Sequence, residues 1–396
     1  MIPQLLGRTG RRAATVAGLA AVVLASTGLT ATTTAAAPTP VPASPAADGS
    51  GHGLRSIRFD GTDPVRRALP ARTTEPFSMI GLTWTDPRAE LRGTAEVRTR
   101  DHRTGAWSAW RTLDLDVRTP ETGLDGRAPG VRAGTQPLWT GPSNGVQVRV
   151  TAEPGTRASL PKGLRVELVD PMADEARAET PTSTTLTANG QPAVTPRSGW
   201  GADESLVLAP PTYTAETKAV FVHHTAGTND YACDQSAAII RAIFLYHVQG
   251  QGWNDIGYQF LVDKCGTVFE GRAGGIDKPV LGAQTYGFNT DTTGIAVLGN
   301  YNEAVSTAPV LDAIAGVAAW KLGLYGYDPA GTVNLVAAAD NGLYKKGQVV
   351  TLNRISGHRD GYPTECPGAN LYADLPTIRQ LAVPQPPVPE PTAQSN

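Results

Sequence analysis

The sequence predicts a mixed α/β domain in its second half, preceded by an all-β, sandwich-like domain. Three observations carry that expectation. Within residues 54–170, apolar residues recur with period two: Val146, Val148 and Val150 alternate with Gln147 and Arg149, and Leu164, Val166 and Leu168 with Arg165 and Glu167. Such alternation marks half-buried strands. Over residues 196–383 short apolar runs are interleaved with stripes at helical spacing. The 43 Gly and 32 Pro in a chain of 396 residues call for many turns between short elements.

In chain order, residues 1–37 read as a secretory signal peptide. Arg8, Arg11 and Arg12 precede an apolar stretch over residues 13–29, and small residues end in Ala35-Ala36-Ala37. That stretch is shorter than a bilayer span and is broken by Ser26 and Thr27, and no other run is long and apolar enough. Stable membrane insertion is therefore not expected. The destination is secreted, extracellular or cell-wall associated, where disulfides persist. Residues 38–53 form a flexible leader and 54–170 a β-rich domain of unassigned role. In that domain Asp101, His102, Asp114, Asp116 and Asp125 show no recurring ligand spacing and read as turn and edge-strand residues. Trp84, Trp107, Trp110 and Trp139 read as core packing.

Residues 171–195 are a linker, acidic and Ala-rich and then Thr/Pro-rich. It predicts a second half, from about Pro192 to Pro384, that folds and acts alone. Within 196–383, residues 218–224 form an apolar strand. Residues 235–249 form a helix with Ile240, Ile243, Phe244 and His247 on one stripe and Gly250 as its stop. Here His247 reads as a core histidine. Residues 258–264 and 294–298 are strands, and Leu311, Ile314, Ala318 and Leu322 mark a second helix. Residues 384–396 are a disordered Pro-rich tail.

Composition excludes several function classes. Hydrophobic residues make up 40% and charged residues 18%, unlike a charge-rich disordered chain. The formal net charge is −2, without the basic excess that a nucleic-acid partner requires. Three cysteines are too few for a disulfide-stapled miniprotein, and the odd count leaves one thiol to explain.

The chemistry concentrates in two places. Phe221-Val222-His223-His224 ends a strand with adjacent histidines, which period two sends to opposite faces. Downstream, His358 and Cys366 lie on one Gly/Pro-rich loop. One histidine from the strand end and two ligands from the loop make a three-ligand site. The fourth tetrahedral position stays open for water, the pattern of catalytic zinc. A His/His/Cys set suits Zn2+ better than the all-oxygen cations. The competing reading makes Cys366 half of a disulfide with Cys233 or Cys265. If those two pair with each other, the remaining thiol is the one that zinc would hold as thiolate. A zinc peptidase of another class lacks its signal, because no His-Glu-x-x-His run occurs.

Six segments carry a resemblance by their order and spacing: Val222-His223-His224-Thr225-Ala226, Gly252-Trp253-Asn254-Asp255-Ile256-Gly257-Tyr258-Gln259-Phe260, Glu270-Gly271-Arg272, Gly282-Ala283-Gln284-Thr285, Gly357-His358-Arg359-Asp360 and Thr364-Glu365-Cys366-Pro367-Gly368. Together they resemble the peptidoglycan recognition proteins and the related zinc-dependent N-acetylmuramoyl-L-alanine amidases, including the phage amidase lysozymes. The resemblance spans residues 196–381. It implies a central mixed β-sheet flanked by helices. It implies an exported hydrolase, with Zn2+ as cofactor, that cuts the amide between N-acetylmuramic acid and L-alanine of peptidoglycan stem peptides. The alternative is a non-catalytic peptidoglycan-binding protein of the same fold. Such receptors typically lack the cysteine ligand, so Cys366 favours the enzyme.

The metal ligands implied are His223, His358 and Cys366, and the catalytic residues Tyr258 and Thr364. The muropeptide groove would include His224, Gly252, Trp253, Arg272 and Gln284. The Gly252-Trp253 pair tends to accompany diaminopimelate-type stem peptides, with Arg272 as partner for their extra carboxylate. Gln284 departs from the histidine many members carry. Cys233 and Cys265, outside the zinc motif, are expected to form a disulfide.

Overall fold

The structure, a computed structural model, describes residues 53–121, 123–155, 159–171 and 190–383. The expected signal peptide, almost all of the leader, most of the linker and the tail lie outside the described residues.

The first half contains β1 (Leu54–Arg58), β2 (Arg66–Trp84), β3 (Gly93–Asp101), β4 (Arg111–Thr112), a helical turn α1 (Gly123–Arg127), β5 (Ala133–Gly134), β6 (Leu138–Ala152) and β7 (Arg165–Val169). All pairings are antiparallel, in the order β1-β7-β2-β6-β3-β4, with β5 against β2. The 19-residue β2 is the spine. Its register with β6 shifts three times between Leu69 and Met79, and each such bulge bends a strand. A straight β2 would separate Leu69 from Leu82 by roughly 40 Å, at about 3.3 Å per residue. Both instead bury in one core with Val97, Val148 and Val166. Bending lets one strand line both sides of that core.

Val146, Val148 and Val150 are buried and alternate with the more exposed Gln147 and Arg149, as the sequence suggests. In β7 the alternation fails, because Glu167 and Val169 are buried along with Val166 and Leu168. Thr83 Oγ1 donates to Glu167 at 2.6 Å, and Ser56 donates to the same carboxylate. The reason for two-sided burial lies in the second half, which covers this face.

That half is built on a five-stranded mixed sheet, ordered β10-β9-β11-β8-β14. Its strands are β8 (Ala219–His224), β9 (Phe260–Val262), β10 (Val268–Glu270), β11 (Thr292–Val297) and β14 (Ile355–Gly357), with a separate hairpin β12 (Thr332–Val336) and β13 (Val349–Asn353). Only β10 runs antiparallel to its neighbour. The helices are α2 (Ser236–Leu245), continued by a π-helical turn Tyr246–Gly250, then α3 (Ala308–Gly323), α4 (His358–Gly361), α5 (Ala369–Ala373) and α6 (Leu375–Ala382). Val220, Val222, Ile295 and Val297 pack under α3 and α6 on one face. Leu261, Ala296 and Phe269 pack under α2 on the other. The strand expected over 258–264 is shorter than its apolar pattern. Tyr258 precedes it, and its carbonyl accepts from Arg272 N at 2.8 Å.

The core under α2 also takes in Leu54, Met79, Trp139 and Val169 from the first half. Tyr246 is fully buried, its hydroxyl 2.9 Å from Leu82 O and 3.0 Å from Thr135 O. A Cβ on Gly81 would lie 2.4 Å from the Tyr246 ring, and one on Gly134 2.6 Å from its hydroxyl. These glycines open the slot that the ring fills. The two halves therefore bury a common apolar core, which the expectation of a second half that folds and acts alone did not include. Among the described residues no helix is long and apolar enough to cross a membrane.

Candidate metal centre

Strand period separates the two histidines at the end of β8. His223 shares the side of Phe221, and His224 that of Val222. β14 runs parallel to β8 with Gly357 opposite Val222, so the first residue beyond β14, His358, arrives beside His223. Their rings are 4.4 Å apart. The following loop folds back through Arg359 N donating to Cys366 O at 3.0 Å, which returns Cys366 to the pair. The ligand atoms of His223, His358 and Cys366 all lie within 4.8 Å of one another, and all three residues are buried. Cys366 Sγ is 3.7 Å from His223 Nδ1.

The protonation pattern suits a metal. His223 Nε2 lies 2.7 Å from Gln284 Oε1, which can only accept, so Nε2 carries the proton and Nδ1 turns its lone pair toward Cys366. Burial holds His223 down at about 4 and His358 well below the usual range, so both are neutral at pH 7. Burial pushes the Cys366 thiol up, a trend that a cation in the site reverses. His358 Nδ1 is buried without a hydrogen-bond partner. Two neutral imidazoles, one thiol and an orphaned ring nitrogen fit a zinc ion.

The other expected residues separate into groups. Tyr258, Trp253, Gln284 and His358 line one cavity of about 30 Å³, together with Asp116 and Arg118 of the first half. Tyr258 is buried with its ring 5.3 Å from His223; burial raises its phenol, leaving it a donor. Gln284 both lines the cavity and holds His223. Thr364 is not among the lining residues; its Oγ1 accepts from Cys366 N at 3.1 Å and shapes the ligand loop. His224 does not reach the cavity either. Its Nδ1 accepts from Tyr301 N at 3.1 Å, while its own N–H points at Cys366 Sγ, 3.4 Å away. Gly252 has φ +71°, and a Cβ there would meet Gly130 O at 3.2 Å. Arg272 is not free for a ligand: Nη2 pairs with Asp125 Oδ2 at 2.5 Å, both side chains buried.

Asp125 thus departs from its reading as a turn residue. Its partner lies 147 positions away, a pairing that sequence spacing cannot reveal. His247 is buried as expected, stacked on Trp253 at 4.5 Å, and lines the same cavity. Trp84 and Trp139 are core residues, whereas Trp107 and Trp110 are half-exposed and covered by Arg98 and Arg149. Cys233 is bonded to Cys265, with Cα atoms 6.4 Å apart, and Cys366 is a free thiol.

Comparison with known proteins places both halves. A family model described as N-acetylmuramoyl-L-alanine amidase matches residues 213–369, and one described as Rv3811 N-terminal galactose-binding domain-like matches residues 30–185. Peptidoglycan-recognition protein SC2 of Drosophila simulans is 32% identical over 158 residues, 39% of this chain and 71% of that protein. The N-acetylmuramoyl-L-alanine amidase of Homo sapiens is 32% identical over 200 residues, 48% of this chain and 28% of that protein. The crystal structure of peptidoglycan recognition protein-LE in complex with tracheal cytotoxin is 27% identical, covers 47% of this chain and 93% of its own, and has a TM-score of 0.37. A galactose-binding-like domain precedes an amidase fold, and the chain belongs to the family of peptidoglycan recognition proteins and N-acetylmuramoyl-L-alanine amidases.

Proposed function

We propose that this protein is an exported, zinc-dependent N-acetylmuramoyl-L-alanine amidase. The observation that carries the reading is the convergence of His223, His358 and Cys366 beside Tyr258. A receptor that only binds peptidoglycan has no need of a buried thiol between two neutral imidazoles.

The bond to be cut joins the lactyl group of N-acetylmuramic acid to L-alanine. Zinc held by the three side chains supplies Lewis acidity: it polarises a carbonyl and makes water nucleophilic near neutral pH. Gln284 fixes the tautomer and aim of His223, and Thr364 and the His224 amide fix Cys366. Tyr258 keeps its proton, so its hydroxyl donates to the oxygen that gains charge as the carbonyl becomes tetrahedral. Neutral His247, whose Nδ1 accepts from Gly257 N at 3.2 Å, braces the segment that carries Tyr258.

The test is direct. Purified full-length protein should release free amino-terminal L-alanine from peptidoglycan, lose that activity to a chelator and regain it with zinc. Binding of muropeptide without any release of L-alanine would favour the receptor reading.

A further inference from the structure

We propose that residues 114–121 and 123–132 of the first half are a built-in cover over the stem-peptide groove, with the Asp125 carboxylate occupying the place of a substrate carboxylate on Arg272. The inference rests on the amidase reading above and adds a mode of control to it.

The cover is tied down along its length. Arg118 Nε donates to Tyr362 OH at 2.7 Å, and Tyr362 stacks on the ligand His358. Asn289 Nδ2 donates to Glu121 Oε2 at 3.0 Å. Asp125 takes Arg272 on one oxygen and Asn254 N, at 2.9 Å, on the other. Arg132 N donates to Gln251 O at 2.8 Å, and Val131 packs on Trp253.

The cavity beside Tyr258 and His358, bounded by Asp116 and Arg118 of the cover, measures about 30 Å³, room for little more than water. Sites for small molecules measure roughly 300–1,000 Å³. A cavity of that size does not hold a muropeptide while the cover is in place. Its hold is also chemical. A guanidinium that pairs with one carboxylate is matched to others, and Asp125 is tethered, so it competes at a high effective concentration. A stem peptide bearing a free carboxylate is the class of ligand able to displace it.

The experiment uses three full-length proteins: wild type, Asp125→Asn, and a variant whose residues 117–130 are replaced by an equal length of Gly and Ser. Amide hydrogen exchange over 251–258 reads the cover without reference to activity. Cleavage and calorimetric binding of a soluble diaminopimelate-type muropeptide read the groove. We expect both variants to exchange at least tenfold faster over 251–258 and to show kcat/KM at least tenfold above wild type. Should the replaced segment not fold, Asp125→Asn alone decides. Faster exchange with unchanged kcat/KM, or unchanged exchange in the variants, would overturn the proposal. Variants that exchange faster yet neither bind nor cleave the muropeptide would instead remove the amidase reading, and the role of the cover with it.

Discussion

Gln284 braces the candidate metal centre from behind. Its Oε1 accepts from His223, and its Nε2 donates to Thr292 Oγ1 at 3.0 Å, so the amide cannot flip without losing both bonds. Gln284→Ala should leave the fold intact and weaken zinc binding 10–100-fold, as loss of a ligand's hydrogen-bonded support typically does. Competition with a chromophoric chelator measures it; an unchanged affinity would remove Gln284 from the site. Cys366→Ser should lose most zinc and several orders of magnitude of cleavage, because a neutral hydroxyl is a poor zinc ligand. Tyr258→Phe should keep zinc and lose about 10²-fold in turnover, the low end for a positioned proton donor. Metal analysis beside the L-alanine assay separates the two, and a fully active Cys366→Ser would falsify the zinc reading. The grouping of His223, His358 and Cys366 was legible because each lies within a motif of the family resemblance, which also selects His223 over His224. The roles of Gln284, Thr364 and His224 were not, since they depend on which way a side chain turns at a strand end or within a loop. Spacing carries no such information.

The helical stripe read from Ile240 to His247 is real, but its last turn is π-helical. The wider turn lets Trp253 N reach back to His247 O at 2.9 Å and stacks the two rings. Burial lowers His247 to about 3, far below its unfolded value near 6.5. The folded state therefore binds fewer protons than the unfolded state between those limits. The stabilisation is complete above pH 6.5 and is lost as pH falls toward 3, by up to about 1.4 kcal/mol per pH unit for one histidine. Denaturant unfolding of metal-free protein at pH 7.5, 6 and 5 should show this loss, and His247→Gln should flatten the profile by about one histidine's share. Parallel profiles for the two proteins would contradict the assignment. At this scale the strand and helix periods were readable. The π turn was not, because one additional backbone residue leaves the apolar pattern nearly unchanged.

Across the whole molecule, one bond and one ring tie distant parts together. The Cys233–Cys265 bond closes a loop of 32 residues, worth about 3–4 kcal/mol in the chain-entropy model. Thiol titration of unreduced, unfolded, metal-free protein should find one thiol, that of Cys366; three would exclude the bond. Gly81→Ala should push a methyl group into the Tyr246 ring and lower stability by about 1–3 kcal/mol or more, the scale of overpacking. Calorimetry would show it as a lower Tm, and an unchanged Tm would mean the ring has room to shift. The fold class was legible because each half has its own periodicity. How the halves meet was hidden, since a buried Glu167 reads as a surface residue until its partner is known.

The slot for Tyr246 also bears on ancestry. A lineage that acquired this amidase-fold half by recombination had to acquire two small residues on the receiving β-sheet as well, or accept a collision at the seam. Where related chains pair an amidase half with an unrelated leading domain, position 246 should carry a side chain other than tyrosine, shaped to whatever neighbour it meets there.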